Sequence, residues 1–277
     1  MIKKEPLVSI ILPSYNNGQY LSETLESALN QTYTNTEVIV INDGSTDNTD
    51  RILEDYKGKV KVFNSINMGA AHARNVGINA ANGSVIAFLD SDDIWDYSKI
   101  EKQMFKLLDN NLDLVYCSGT EFGPSVKQPK LHQAKFSGDC YRYFSDFPTV
   151  AMITLGCSTA VIRREVIEKS GLFDEKFKGP AEDWDFFRRV CKFANVGFVD
   201  EDLVRYRIHD RNVSRTSAFS YFDGNKMAIK KMLSEDNSIQ KANVWIKFYS
   251  VFMKESIKTR NIGLLLRAIT SIFRLID

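Results

Sequence analysis

Three carboxylates crowd into four residues at Asp90-Ser91-Asp92-Asp93, directly after the apolar run Val85-Ile86-Ala87-Phe88-Leu89. A run of that length with β-branched and aromatic side chains reads as a strand buried on both faces. Charges at the end of such a strand repel one another and are costly to desolvate. A hard divalent cation resolves the conflict. Oxygens on alternate residues can face one Mg2+ or Mn2+, which keeps positions open for the phosphates of a substrate. An acidic turn capping the next helix would explain a lone Asp-x-Asp as well, so the weight rests on what surrounds it.

Two further polar clusters follow short apolar runs: Pro13-Ser14-Tyr15-Asn16-Asn17-Gly18 and Asn42-Asp43-Gly44-Ser45. In such turns the Tyr15 ring could stack on a nucleobase and Asp43 could accept a base N–H. Exposed turn tyrosines and Asp-Gly turns are also common without any function. Arg74 stands among small residues in Ala70-Ala71-His72-Ala73-Arg74-Asn75-Val76-Gly77. A guanidinium on a small-residue face can approach a diphosphate and pair bidentately, the alternative being a solvated helix charge. His72 reads as a packing or surface histidine. Neither Gly-x-Gly-x-x-Gly after the first strand nor Gly-x-x-x-x-Gly-Lys-[Ser/Thr] occurs, which weakens dinucleotide and P-loop readings.

The elements that must position these residues alternate. Residues 7–12, 37–41, 60–63, 85–89 and 112–116 read as strands. Leu21, Leu25, Ala28 and Leu29 recur at helical spacing, Thr46-Asp47-Asn48-Thr49 opens a second helix with capping residues, and residues 70–81 form a third. Strands alternating with helices of this length imply βαβ units: an α/β fold with a mostly parallel sheet flanked by helices. Ligands of such sheets bind beyond the carboxyl ends of the strands. The three polar clusters all lie at such ends and should converge on one cleft.

With 277 residues and 44% hydrophobic content, the chain can bury one large core or a core plus a smaller lobe. A formal net charge of +1 gives no general polyanion-binding signal, and no nucleic-acid partner is expected. Cys117, Cys140, Cys157 and Cys191 are widely spaced, which argues against structural zinc or a disulfide framework. Pro6 and Glu5 interrupt the N-terminus before any long apolar segment, so it is not read as a signal peptide. No window reaches the roughly 18 uncharged apolar residues of a membrane span. The expected location is the cytoplasm.

Several motifs in order over residues 7–95 resemble family 2 glycosyltransferases of the GT-A fold. They are Val8-Ser9-Ile10-Ile11-Leu12-Pro13-Ser14-Tyr15-Asn16, Ser27-Ala28-Leu29-Asn30-Gln31-Thr32-Tyr33, Val40-Ile41-Asn42-Asp43-Gly44-Ser45-Thr46-Asp47, Asn67-Met68-Gly69-Ala70-Ala71 with Arg74-Asn75, and Phe88-Leu89-Asp90-Ser91-Asp92-Asp93. The resemblance implies a Rossmann-like sheet, nucleotide-diphosphate-sugar binding and inversion at the anomeric carbon. It implies that Pro13 and Tyr15 flank the base, that Asp43 bonds it, and that Asn16, Arg74 and Ser91 line the donor site. Asp90 and Asp92 would form the metal-binding Asp-x-Asp pair, with Asp92 the direct ligand of Mn2+ or Mg2+.

In the second half, Gly171-Leu172-Phe173-Asp174-Glu175-Lys176-Phe177 leads into Ala181-Glu182-Asp183-Trp184-Asp185-Phe186. Acidic residues suit any helix N-terminus. The wider context resembles the family's second acidic motif, whose Asp deprotonates the acceptor hydroxyl. Asp183 is then the base, beside Glu182, while Trp184 and Asp185 hold the acceptor; Glu182 could instead hold it. Tyr206-Arg207-Ile208-His209-Asp210-Arg211-Asn212-Val213-Ser214 resembles the segment that closes the catalytic domain, where His209 could contact the metal or serve structurally. Residues 118–148 read as a loop-rich insertion for acceptor selection or a lid. Beyond Ser220 the chain turns helical and basic, with Trp245, Phe248, Tyr249 and Phe252 between lysines. Such helices either pack on the catalytic domain or lie on an anionic membrane bearing lipid-linked acceptors.

The expected organisation is a catalytic domain over residues 1–218 and a helical C-terminal extension over 219–277. Within the first, residues 1–117 bind the nucleotide-sugar and 118–218 form the acceptor side. The expected activity is metal-dependent inverting transfer of a hexosyl or N-acetylhexosaminyl group, in cell-surface polysaccharide synthesis. It runs from a UDP-sugar to a glycan or lipid-linked hydroxyl, peripherally at the inner membrane face. Two alternatives are a sugar nucleotidyltransferase, whose Gly-rich basic loop is missing after the first strand, and a non-catalytic nucleotide-sugar-binding module.

Overall fold

The computed structural model describes residues 5–146, 156–177, 180–212, 218–237 and 239–273. Strands β1 (Val8–Ser14), β2 (Thr36–Asn42), β3 (Lys61–Asn64) and β4 (Val85–Phe88) are joined by helices α1 (Gly18–Leu29), α2 (Thr49–Asp55) and α3 (Ala70–Ala80). These four strands pair in parallel in the order β3-β2-β1-β4. The nine-stranded sheet continues through β8 (Val161–Arg163), β6 (Leu114–Phe122), β9 (Val196–Arg207) and β5 (Ile94–Trp95), and β7 (Leu131–His132) pairs with β6. β8 is antiparallel to both β4 and β6, whereas β6 and β9 are parallel. Helices α4 (Lys99–Asp109), α5 (Arg164–Ser170) and α6 (Glu182–Cys191) flank it, followed by α7 (Ala218–Glu235), α8 (Lys241–Lys258) and α9 (Ile262–Phe273).

Alternate residues of a strand point to opposite faces, and here both faces are covered. Ile11, Ile39, Ile41, Ile86, Phe88, Leu114 and Tyr116 share one core with residues of α3, α5 and α6. Ile10, Leu12, Val38, Val40, Ala87 and Val115 share the other with Leu21 and Leu25 of α1 and Met104 and Leu107 of α4. Double coverage is why the first strands read as unbroken apolar runs. Helix α3 lies especially close: a Cβ on Gly77 would stand 2.3 Å from Ile11 Cγ2 and 2.8 Å from Ile41 Cδ1.

The first four strands match the expectation, with small shifts of boundary. The fifth was expected at residues 112–116 but runs from Leu114 to Phe122. Strands β8 and β9 were not foreseen. The first has three residues, and the second carries exposed Asp200, Glu201 and Asp202 in its middle, which breaks any strand pattern. Residues 118–148 are more ordered than an insertion of loops: they contain the end of β6, β7 and a 3-10 turn over Tyr141–Asp146; positions 147 and 148 lie outside the described residues. Helices α7, α8 and α9 share a core of their own, including Phe222, Ile229, Met232, Phe248, Phe252 and Leu264. Among the described residues, no helix is long and apolar enough to cross a membrane.

Candidate active site

The carboxyl ends of β2, β1 and β4 are adjacent in the sheet, and hydrogen bonds lock their loops together. The Asp43 amide donates to the Ser14 carbonyl at 2.8 Å, and Leu89 N–H donates to Ile11 O at 3.0 Å. Asn16 adopts a left-handed φ of 53°, which asparagine tolerates better than most residues. Its Oδ1 accepts from Thr46 N–H at 2.7 Å, and its own N–H donates to Ser45 Oγ at 3.0 Å. Asn17 Nδ2 donates to Ser91 Oγ at 2.9 Å, tying the first loop to the acidic one. Pro13 is half-buried in β1, whereas Tyr15 is exposed. Asp43 is buried, and its two oxygens accept from Met68 N–H at 2.9 Å and Gly69 N–H at 2.7 Å. Its carboxylate therefore shapes the loop that opens α3; a nucleobase N–H would share one of those oxygens.

Beyond β4, each acidic residue has a different partner. Asp90 Oδ1 accepts from Arg74 Nη2 at 2.8 Å. Asp93 is fully buried, accepting from Ser158 Oγ at 2.6 Å and from Arg207 N–H at 3.0 Å. Burial, then the charges of Asp92 and Asp90, push its carboxyl well above the usual range. Asp92 Oδ2 faces His209 Nε2 at 2.8 Å, and Arg207 Nε donates to the Asp92 carbonyl at 2.8 Å. His209 Nδ1 accepts from Arg211 N–H at 3.1 Å. The ring proton accordingly sits on Nε2 and is donated to Asp92. This geometry suits a histidine that orients Asp92 rather than one that ligates a cation itself. Among the described residues, no group of three or more His, Cys, Asp or Glu side chains converges as a metal cage. Hard carboxylate donors do gather at Asp90 and Asp92, where Arg74 holds one oxygen of the first and His209 one oxygen of the second, so a divalent cation would draw on this pair. Of the segment around His209, Val213 and Ser214 lie outside the described residues.

Arg74 joins this cluster to the second acidic motif. Its guanidinium is buried, and Nη1 donates to Glu182 Oε1 at 3.2 Å while Nη2 holds Asp90. Among the described residues, Arg74 Nε has no hydrogen-bond partner. Glu182 and Asp183 start α6 directly after Ala181, whose φ of 87° is strained for a residue with a Cβ. Burial, then the charge of Asp183, push Glu182 up to about 7. Burial, reinforced by Asp90, raises Asp183 as well, although Arg74 and the Trp184 amide oppose the shift. A carboxyl moved toward neutrality is tuned for proton abstraction.

Asp185 and Trp184 make further contacts beyond this cluster. Asp185, expected against the acceptor, is fully buried and bonded to Arg188 at 3.1 Å, Arg189 at 2.9 Å and Lys231 at 2.9 Å. Two residues along a helix lie about 200° apart around its axis, so Asp183 and Asp185 cannot share a face. Trp184 packs edge-on to Phe144 at 5.4 Å and against the C-terminal core. Ser158 escaped notice in the sequence, and Asn75 entered it only as part of a motif. Ser158 also accepts the Asp90 amide at 3.1 Å, and Asn75 clamps both the N–H and C=O of Phe173. Ser158 carries no sequence signal, because it lies in a short 3-10 turn remote from any motif.

Residues 9–171 match the family described as Glycosyl transferase family 2. An uncharacterised glycosyltransferase of Rickettsia typhi is 37% identical over 220 residues, covering 76% of this chain and 67% of that protein. The Escherichia coli protein UDP-Glc:alpha-D-GlcNAc-diphosphoundecaprenol beta-1,3-glucosyltransferase WfgD is 32% identical over 219 residues, 75% of this chain and 79% of its own. Staphylococcus aureus TarS, solved with UDP-GlcNAc, shares the fold with a TM-score of 0.66 at 20% identity, over 94% of this chain and 79% of that one. With the family motifs spread across the sheet's carboxyl edge and the match covering more than half its length, the chain belongs to glycosyltransferase family 2.

Proposed function

We propose that this glycosyltransferase moves a hexosyl or N-acetylhexosaminyl group from a UDP-sugar to a hydroxyl of a lipid-linked glycan, with inversion and with Mn2+ or Mg2+ as cofactor. The observation that carries the reading is Arg74. One buried guanidinium bonds Asp90 beyond β4 and Glu182 at the start of α6, so a single cation ties the Asp-x-Asp end of the donor side to the second acidic motif. The names of the relatives support the donor and acceptor classes: one is a UDP-Glc transferase acting on GlcNAc-diphosphoundecaprenol, and the TarS structure holds UDP-GlcNAc.

In this mechanism Tyr15 covers the base, Asp43 and the Asn16 loop shape its pocket, and Arg74 holds the diphosphate. Asp183 takes the proton of the acceptor hydroxyl as that oxygen attacks the anomeric carbon, and the bond from that carbon to the diphosphate breaks on the opposite face. A cation bound at Asp92 would neutralise charge on the departing diphosphate. On this reading residues 1–218 form the catalytic domain, with 1–117 on the donor side and 118–218 on the acceptor side. Residues 219–277 extend it, at the cytoplasmic face of a membrane.

The test is a thermal-shift and transfer assay with UDP-sugars, with and without Mn2+, since a ligand that binds only the folded state stabilises it. Stabilisation by UDP with Mn2+ and an inverted linkage by NMR are expected. Asp183→Asn should lower kcat by at least about a hundredfold while UDP affinity stays within a few fold. A retained anomeric configuration, or full transfer by Asp183→Asn, would overturn the assignment.

A further inference from the structure

Helix α7 opens the C-terminal extension, and one of its faces runs along α6. Glu235 pairs with Arg188, and Lys231 Nζ donates to Asp185 at 2.9 Å and Asp174 at 2.7 Å. Ala228 is fully buried against Phe177 and Ala181. At Gly224 the backbones come so close that a Cβ would lie 2.1 Å from the Pro180 carbonyl oxygen. Positions 235, 231, 228 and 224 are the three-and-four spacing of a single helix face. They track α6 back toward its N-terminus, and the next residue in that stripe is Tyr221.

Tyr221 therefore stands one turn beyond the Pro180 contact, on the side of the α6 N-terminus. Partial burial, then the negative charge of Asp183, raise its phenol above the ordinary value. The ring is steadied by Phe252 of α8, with centroids 6.0 Å apart. The Tyr221 carbonyl accepts from Asn225 Nδ2 at 2.7 Å. Even so, Tyr221 remains 45% exposed. The helices bury Phe222, Phe248 and Phe252 in their own core but hold this neighbouring ring at the surface, beside the acidic start of α6.

We propose that Tyr221 is the acceptor platform: its ring packs against the C–H face of the pyranose whose hydroxyl is presented to Asp183. A pyranose offers an apolar C–H face and a rim of hydroxyls, and tyrosine matches both with an apolar body and a polar tip. The role expected of Trp184 thus falls to a residue of another element. The C-terminal helices then act in acceptor recognition, because they fix the ring opposite the base. The inference rests on the reading of Asp183 as that base.

Saturation-transfer NMR on the full chain with UDP and Mn2+ tests it, using methyl glucopyranoside and methyl N-acetylglucosaminide as probes. Saturation should reach the ring C–H protons of at least one probe. Tyr221→Ala should weaken that probe's binding by about tenfold or more, the usual scale for truncating an aromatic anchor. Tyr221→Phe should retain most of it, because the ring supplies the platform. A melting temperature within about 2 °C of the parent would show the Ala variant folded. Binding of neither probe to the parent chain, or equal binding to Tyr221→Ala, would overturn the proposal. Should Asp183→Asn still transfer sugar, the base assignment falls while the probe-binding result stands by itself, so the two failures are distinguishable.

Discussion

At the scale of single residues, the site is a set of carboxylates that differ only in their partners. Asp93 is buried beneath Ser158 and Arg207, Asp90 is held by Arg74, and Asp92 is steadied by His209. On the proposed reading of Asp92 as a metal ligand, a residue that orients it would affect metal affinity by about 10–100-fold. His209→Ala should therefore raise the Mn2+ concentration for half-maximal transfer by that factor, measured by metal titration, while UDP-free stability changes little. An unchanged titration would remove His209 from the site. Glu182 gives a second prediction. Its folded value of about 7 lies above the ordinary 4.5, so the folded chain keeps a proton that the unfolded chain releases in between. The stability from this group is fully present below about pH 4.5 and is lost as pH rises through 7. Glu182→Gln keeps the oxygen facing Arg74 but not the charge. It should gain stability over the parent between about pH 5 and pH 8, by up to about 3 kcal/mol, as read from denaturant midpoints. Parallel pH profiles for the two proteins would contradict this.

At the scale of elements, α3 decides whether the two acidic motifs meet. It carries Arg74 between them, and Asn75 fixes Phe173 on the chain leading to α6. Its distance from the sheet depends on Gly77. Alanine is the better helix former by about 1 kcal/mol, yet its Cβ would overlap Ile11 and Ile41. Overpacking of this kind costs about 1–3 kcal/mol. Gly77→Ala should lower the melting temperature and reduce transfer together, because displacing α3 moves Arg74. A more stable Gly77→Ala protein would show that the helix can shift without cost.

For the whole molecule, the decisive contact is between the sheet-based half and the C-terminal helices. Asp185 pairs with Arg188 and Arg189 of its own helix and with Lys231 across that boundary, where Arg188 also meets Glu235. Opposing burial, the charge of Arg189 and the bond from Lys231 hold its carboxyl below the usual range. Removing one member of a buried ion cluster leaves the others uncompensated, typically at about 3–5 kcal/mol. Asp185→Ala should be strongly destabilised, and circular dichroism melts would reveal a weak effect if the cluster were dispensable. The outer surface makes a separate prediction. Ile246 and Ile257 are exposed on α8, which carries several lysines, and Ile262 and Leu266 on α9, which carries Arg267. Attachment to anionic lipid gains about 1 kcal/mol per basic residue near the surface. The protein should co-sediment with anionic vesicles, less so as salt rises, and the double variant Ile257→Asn/Ile262→Asn should weaken this. No sedimentation at low salt would leave these helices as packing elements alone.

The sequence by itself determined the family, the parallel first half of the sheet and the three polar strand ends, because these are local. Apolar runs such as residues 85–89 specify doubly covered strands, and the residues that follow must then stand at the carboxyl edge. The tertiary structure decided which side chains share a space. Asp183 and Asp185 look equivalent in sequence, yet a turn of α6 sends one to Arg74's neighbourhood and the other into the ion cluster with Lys231. Strand β9 could not be read, because its charged middle is stabilised by pairing with β6 rather than by its own pattern. Ser158 lies 68 residues from Asp90, whose amide it accepts, and Tyr221 lies 38 residues from Asp183, whose charge it feels. Contacts of that separation are fixed by packing of complete elements, which no local pattern encodes.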